Sequence, residues 1–440
     1  MIRVRFAPSP TGNLHIGGVR TALFNFLYAR NQQGKFLVRI EDTDRERSKP
    51  EFEKEIMISM EWLGMGSDEP IPHQSQRLER YREVAADLVQ RGLAYEEKIG
   101  DKTAVKFKMP EAGQVRKTVF HDQVHGEVAF DGSLFEDLVI LKSDGYPVYH
   151  LACVVDDHDM EITHVIRGDD HMSNTPRQIL IFEAMGWKPP KYAHLPLILG
   201  DDGTPLSKRH GAVALSSFRE EGFIPEGILN YLALLGWGTE GNEEFYSLED
   251  LTKKFSLKRV NKAGAKFNRE KLEWVNGQHL KKLPEAEYLA RITAFCEPRM
   301  PKDSRKFSRE AWKKLALLYR GRIRIFQDLF DQASYCFSEI ESYEPVMQES
   351  YLQNKPLKRH LETWAEGMSS LPDPDFEDHA KIENKTRETA AGWGIEAKDL
   401  IHPLRFAMTG KTVSPGLFEL MSVLGKETCL KRIQSFLTKK

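Results

Sequence analysis

Ile2, Val4 and Phe6 alternate with Arg3 and Arg5, the period of two expected of a short strand with one apolar face. Further along, Val19, Ala22, Leu23, Phe26 and Leu27 fall at i, i+3, i+4, i+7 and i+8, which is one face of a helix. The segment "KFLVRIEDTD" (35–44) then returns to an extended pattern. Strand, loop, helix and strand in so short a span predict the βαβ unit of a parallel sheet. From Leu93 to Pro147 the pattern changes: "TAVKFKM" and "EVAFD" read as strands with turns at "EAG" and "DGS", the signature of a small α+β insertion. The earlier pattern resumes at Tyr149. "EITHVI" reads as a strand, Thr175 and Pro176 as an N-cap and first helical residue, and Gly186 as that helix's end. "LPLILGDDGTPLSKRHG" (195–211) is an apolar strand, a DG turn and a basic loop, and beyond about Ser216 the periodicity is helical to the end. A Pro- and Asp-rich stretch, "LPDPDFEDH", is expected to divide the helical part.

The expected fold is therefore a doubly wound, Rossmann-type parallel sheet (1–90 and 150–215) with an α+β insertion (91–149), followed by an all-α C-terminal half. A chain of 440 residues is long enough for several such cores.

Composition adds little. Hydrophobic residues make up 40% and charged ones 29%, and no run reaches the roughly 18 apolar residues of a membrane span. Cys153, Cys296, Cys336 and Cys429 are far apart with no CxxC pair, which predicts a reducing compartment, the cytoplasm, and no disulfide framework. Net charge is only −2, yet ten Lys and Arg between Lys253 and Lys282 face only Glu270 and Glu273. Lys253, Lys254, Lys258, Arg259 and Lys262 lead that run, which reads as a surface for a polyanion or as a basic solvated face.

The chemistry concentrates in the irregular segments. "RFAPSPTGNLHIGG" (5–18) joins the first strand to the first helix, where backbone N–H groups and the helix dipole favour phosphate. A plain strand-to-helix loop is the competing reading. In a parallel sheet the site lies beyond the carboxyl ends of the strands, which sets Arg5, Ser9 and His15 beside Glu41, Asp42 and Asp44. "LSKRHG" (206–211) supplies a second basic loop from the same sheet, so the two bracket a nucleoside triphosphate. The His- and Asp-rich run 150–171 invites a metal reading but has no HExxH-type spacing. "MTGKTV" (408–413) fails as a Walker A motif because Arg405 stands where its first glycine is needed.

Taken in order, "RFAPSPTGNLHIGGVRTALFNFLYAR", "FLVRIEDTDRERS", "YHLACVVDDHDMEITHVIRGDDHMSNTPRQ", "LSKRHG" and "PLRFAMTGKTVSPGLFELMSVLGKE" resemble the signatures of class I aminoacyl-tRNA synthetases, specifically the bacterial glutamyl-tRNA synthetases. The first is similar to the HIGH signature and "LSKRHG" to the KMSKS loop. The resemblance spans nearly the whole chain. It implies activation of glutamate by ATP and transfer to the terminal adenosine of tRNA(Glu), with tRNA(Gln) as an additional or main acceptor in some members. By the same resemblance, Thr11, His15, Gly17, Gly18, Asp170, Lys208 and Arg209 bind ATP, and Lys208 with His15 serves catalysis. Arg5, Ser9, Glu41, Tyr149 and Arg167 hold glutamate, and His171 lies near the tRNA's terminal ribose. It further implies an acceptor-binding insertion, a stem-contacting helical domain (216–290) and an anticodon-binding region (291–440). Mg²⁺ accompanies ATP, and the expected enzyme is a monomer. Three departures stand out. Cys153 replaces an asparagine of some relatives, Thr204 and Pro205 precede the second loop, and the insertion after "GLAYEEK" is short, so no structural zinc is expected. A base-modifying relative matches only the N-terminal half, and a non-catalytic tRNA-binding paralogue would not need His15, Lys208, Arg5 and Arg167.

Overall fold

The computed structural model describes residues 1–109, 117–131, 136–207, 214–238, 241–302, 304, 306–340 and 343–438. The chain forms two compact units, 1–276 and 277–440.

The first unit opens with strand β1 (Arg3–Phe6), helix α1 (Ile16–Asn31) and strand β2 (Lys35–Val38). β1 and β2 pair in parallel from Arg3 opposite Lys35 to Phe6 opposite Val38. Helices α2 (Pro50–Trp62) and α3 (Leu78–Gln90) follow, then strands β3 (Ala94–Ile99), β4 (Lys102–Phe107), β5 (Lys117–Asp122), β6 (Gly126–Asp131) and β7 (Leu138–Leu141). Next come α4 (Tyr149–Asp159), β8 (His164–Gly168), α5 (Thr175–Ala184), β9 (Lys191–Leu195) and the short β10 (Ile198–Leu199). The main sheet has six strands in the order β2-β1-β8-β9-β5-β6, all parallel except the antiparallel β5–β6 hairpin.

That order departs from a self-contained insertion over 91–149. Only β3, β4 and β7 form a separate antiparallel sheet, whereas β5 and β6 extend the main one. The hairpin belongs there because Phe120 packs on Tyr192 of β9 (ring centroids 5.9 Å) and Asp122 caps β9 through the amide of His194.

Helix α1 also differs from its sequence pattern. The expected apolar face is buried, but Phe24 and the polar Arg20 and Asn25 are buried as well. The reason is a second layer: α7 (Pro225–Leu234) and α8 (Leu248–Lys254), which follow α6 (Leu215–Glu221), cover the side of α1 turned away from the sheet. Phe24 meets Phe255 edge-on at 5.1 Å, just past α8. Asn25 Nδ2 donates to the Ile166 carbonyl of β8 at 2.9 Å, so its amide nitrogen is paired inside the core. Burying a Phe or Leu side chain contributes about 2 kcal/mol, so covering α1 on both sides ties sheet and helices into one core.

α5 begins at Thr175 with Asn174 before it, and the Thr175 hydroxyl makes no capping bond. It turns to Arg167 instead. Strand β11 (Ala265–Lys266) pairs with β10, and α9 (Arg269–Lys282) contains the division between the units. That division lies ahead of the 290/291 boundary expected from the resemblance, and α9 gives no break in the periodicity to mark it.

The second unit is helical among its described residues, with Tyr288, Leu315, Tyr319, Leu361, Trp364, Ile382, Phe406, Leu420 and Ile433 in its core. "LPDPDFEDH" does not divide it. The segment forms a short helix (Asp373–Phe376) that buries Phe376, and Asp378 then caps the helix His379–Gly392.

Candidate active site

A cleft of about 1690 Å³ opens at the carboxyl ends of β1, β2 and β8. Every described residue assigned above to ATP or glutamate lines it: Arg5, Ser9, Thr11, His15, Gly17, Gly18, Glu41, Tyr149, Arg167 and Asp170, with His171 beside them. Asp44 lines it too. Asp42 does not, because its carboxylate is spent on the amide and hydroxyl of Ser75 (2.8 and 2.5 Å).

At one end the loop before α1 delivers His15 as N-cap, with Nδ1 accepting from the Gly18 amide at 3.1 Å. An acceptor at Nδ1 puts the ring proton on Nε2, a donor for an anion. The glycines suit the fit: a Cβ on Gly17 would sit 3.0 Å from that same Nδ1, and one on Gly18 would sit 3.0 Å from Leu14. The second loop is anchored on both flanks. The Leu206 amide bonds the Ile198 carbonyl at 2.9 Å, and Ala214 bridges to His15 itself. Lys208, Arg209 and His210 lie outside the described residues. Before them, Thr204 folds onto Asp202 (2.7 Å) in a tight DG turn whose Gly203 has a φ of +77°, a conformation suited to glycine.

At the other end sits a buried charge network that motif reading missed. Arg5, 4% exposed, gives Nε and Nη2 to Asp157 at 3.0 and 3.3 Å. Arg39, fully buried, donates to Asp157 at 2.7 Å and to Glu41 Oε1 at 2.9 Å. Asp156 accepts from Gln74 (2.8 Å) and Tyr81 (2.9 Å) and pairs with Arg77 (3.0 Å). Burial opposes charge on Asp157, but the two guanidiniums outweigh it and hold its carboxyl below the usual range. Cys153 packs among these groups. Burial first, then Asp157 and Glu41, push its thiol up to about 12, so it is a neutral filler and no nucleophile. Arg39 carries a signal nonetheless: it is an arginine just past the apolar strand β2, at the period-two spacing of Leu37 and Glu41.

Arg167, 5% exposed, is held on three sides. Nη2 donates to Thr175 Oγ1 at 2.7 Å, Nε to His194 Nε2 at 3.2 Å, and Nη1 to the Tyr149 hydroxyl at 3.3 Å. The Tyr149 hydroxyl lies 3.1 Å from His171 Nδ1. His194 in turn places Nδ1 2.7 Å from Asp122, which also accepts the backbone amides of Val124, His125 and His194. Burial raises the Asp122 carboxyl, but the bonds from His194 and those amides lower it by more, for a net shift down. Burial lowers His194. The pair is a carboxylate beside a neutral imidazole, with the proton on Nδ1 and Nε2 free to accept.

Residues of the His- and Asp-rich run hold these and further structural roles. Asp159 pairs with Arg77 and Arg80, His158 stacks on Trp187 at 3.9 Å, and Asp169 bonds His125 at 3.0 Å. Among the described residues, no three His, Cys, Asp or Glu side chains gather to hold an ion.

The basic stretch is less one-sided in space than in sequence. Lys253 pairs with Glu249, Lys254 with Glu243, Lys271 with Glu244, and Arg269 with Glu221 and Glu273. Lys258 and Lys262 are exposed, Lys262 reaching the His125 carbonyl at 3.4 Å, and Arg259 is half-buried. Among the described residues no helix is long and apolar enough to cross a membrane.

Comparisons with known proteins bear on this site. The model of the family described as tRNA synthetases class I (E and Q), catalytic domain, matches residues 1–102 and 96–274, and an anticodon binding domain model matches 279–437. The chain is 40% identical to Glutamate–tRNA ligase 2 of Thermosipho melanesiensis, covering 99% of this chain and 98% of that protein. It is 40% identical to Glutamate–tRNA ligase 1 of Caldanaerobacter subterraneus, covering 98% and 97%. Among solved structures, a glutamate tRNA ligase from Elizabethkingia meningosepticum in complex with its amino acid superimposes with a TM-score of 0.89 at 30% identity, over the full length of both chains.

Proposed function

Because the chain belongs to the class I tRNA synthetases (E and Q), we infer that it is a glutamate–tRNA ligase: it joins glutamate to AMP at the expense of ATP, then transfers the glutamyl group to the 3′ terminal adenosine of tRNA. The relatives' names lend the tRNA(Gln) alternative no support, so tRNA(Glu) is the acceptor in this reading. The observation that carries it is the single cleft joining a phosphate-suited helix start, at His15, Gly17 and Gly18, to a pocket walled by Arg5, Glu41 and Arg167.

The first step requires no enzyme nucleophile. The α-carboxylate of glutamate attacks the α-phosphorus, and pyrophosphate leaves. The chain has to position two substrates and stabilise charge. His15 Nε2–H and the start of α1 hold the triphosphate with Thr11, and Lys208 meets the charge that grows as pyrophosphate departs, assisted by Arg209. Mg²⁺ bound with ATP would draw charge off the phosphates. The exposed Asp170 on the cleft wall suits that ion.

In the pocket, Arg5 and Arg167 present donors only. Nη1 of Arg5 makes no hydrogen bond among the described residues, which leaves it for a substrate carboxylate. A guanidinium accepts nothing, so glutamine's amide N–H groups would go unpaired there. Glu41 keeps one oxygen on Arg39 and offers the other to the substrate ammonium group. Ser9 and Tyr149 complete the polar wall.

We assign the acceptor end of tRNA to residues 91–149, its stem to 216–290 and its anticodon to the helices of 291–440, where unstacked bases can be read singly. The anticodon model's match to 279–437 supports the last. One chain carries both catalytic and anticodon-binding matches, in keeping with a monomer, and the four cysteines are free thiols, in keeping with the cytoplasm. Lys208→Ala should abolish ATP–pyrophosphate exchange, assayed with tRNA present, and leave tRNA binding largely intact. Exchange at the wild-type rate would remove Lys208 from the reaction.

A further inference from the structure

We propose that Asp122 and His194 are positioning residues for glutamate: through Thr175 they fix the Arg167 guanidinium so that its remaining edge faces the substrate carboxylate. Asp122 ends β5 and His194 lies near the end of β9, neighbouring strands that pair at Asp122 and Tyr192. Neither residue lines the cleft. Both side chains are fully buried, in a sheet whose interior has no need of a carboxylate or an imidazole for packing.

The chain of bonds runs one way. Three backbone amides and the His194 Nδ1–H converge on Asp122, so its oxygens act only as acceptors. That fixes the imidazole proton on Nδ1. Nε2 is left as an acceptor, with two donors on it: Arg167 Nε at 3.2 Å and the Thr175 hydroxyl at 3.0 Å. The hydroxyl hydrogen is thereby committed, and its lone pair accepts Arg167 Nη2 at 2.7 Å. Two of the three guanidinium nitrogens are locked, and the group's carbon lies over the Tyr192 ring, 5.6 Å from its centroid. The remaining nitrogen, Nη1, bonds the half-buried Tyr149 hydroxyl, and both residues line the cleft. If the imidazole carried its proton on Nε2, an N–H would point at the Arg167 N–H, and the guanidinium would have to move. Side chains held this way lose little freedom when substrate binds, which is how positioning becomes affinity.

This inference rests on Arg167 belonging to the glutamate pocket, so the experiment includes a variant that tests that separately. Aminoacylation of tRNA(Glu) by the full chain would be measured for His194→Leu, His194→Gln, Asp122→Asn and Arg167→Ala, with KM for glutamate and for ATP, and kcat. His194→Leu removes the acceptor and Asp122→Asn sets an N–H against the donors. Each should raise KM for glutamate roughly 10- to 100-fold and leave KM for ATP nearly unchanged. His194→Gln, whose side-chain oxygen can accept from Arg167, should recover most of the loss. Unchanged glutamate KM in His194→Leu, or equal losses for both substrates with no rescue by glutamine, would overturn the proposal. Arg167→Ala raising glutamate KM while the His194 variants do not would overturn only the positioning role. An Arg167→Ala enzyme with normal glutamate KM would instead overturn the pocket assignment. Should a variant not fold, ¹⁵N shifts of the His194 ring in the wild-type chain decide: a protonated Nδ1 and bare Nε2 support the proposal, and the opposite tautomer contradicts it.

Discussion

Arg39 shows how much of this site depends on charges that touch no substrate. It sits fully buried between Glu41, Asp156 and Asp157. Replacing it by Met would leave three buried carboxylates to Arg5 and Arg77. Breaking a buried network in this way costs about 3–5 kcal/mol, so Arg39→Met should lower the unfolding free energy by that amount in urea titrations, and a loss under about 1 kcal/mol would contradict the network's importance. His164 provides a second test. It is buried on β8 beside the Tyr28 hydroxyl (3.2 Å), and burial, with Lys191, lowers its pKa to about 4. Unfolded, it takes up a proton near pH 6.5; folded, it does so only near pH 4, so acid pulls the chain towards the unfolded state between those values. His164→Gln cannot titrate, and should reduce the stability lost between pH 7 and pH 5 by about 2 kcal/mol. At this scale the sequence reveals the groups on the cleft wall, because motif residues sit at strand ends. It does not reveal their supports. Arg5 and Asp157 are 152 positions apart, and Asp122 sits 72 positions from His194, within the 91–149 insertion of the sequence pattern.

Among the elements, β1, α1 and β2 were legible because alternation and helical periodicity change cleanly at the loop. The second layer over α1 was not, since Phe24 and Arg20 look like positions on a polar face until α7 and α8 are in place. The β5–β6 hairpin was read as part of an insertion for a related reason: strand pattern specifies a strand and not its sheet. Close packing makes one test specific. A Cβ on Gly34 would lie 2.8 Å from Ile2 Cβ and closer still to the Ile2 carbonyl oxygen, which accepts the Lys35 amide. Gly34→Ala should push β2 away from β1 and cost about 1–3 kcal/mol, read as a lower thermal midpoint with glutamate KM raised through Glu41. An unchanged midpoint would mean the strand edge yields easily.

For the molecule as a whole, the two matched regions and the two compact units divide the chain at nearly the same place, 274–279 and 276–277. Periodicity missed that division because α9 runs through it. It overstated the basic stretch too, since Glu221, Glu243, Glu244 and Glu249 come from outside the counted window or its face. Lys253 would have to give up its pair with Glu249 to meet a phosphate, so the exposed Lys258 should matter more to tRNA. Lys258→Ala should reduce the slope of log affinity against log salt by about 0.7–0.9, with a smaller change for Lys253→Ala, in filter-binding titrations. Equal slopes for the two would place the tRNA backbone elsewhere. Ligation itself is checked by transfer of labelled glutamate, with ATP and Mg²⁺, to purified tRNA(Glu) and tRNA(Gln) side by side. Charging of tRNA(Glu) is the expected result. Charging of neither, with tRNA still bound, would contradict it.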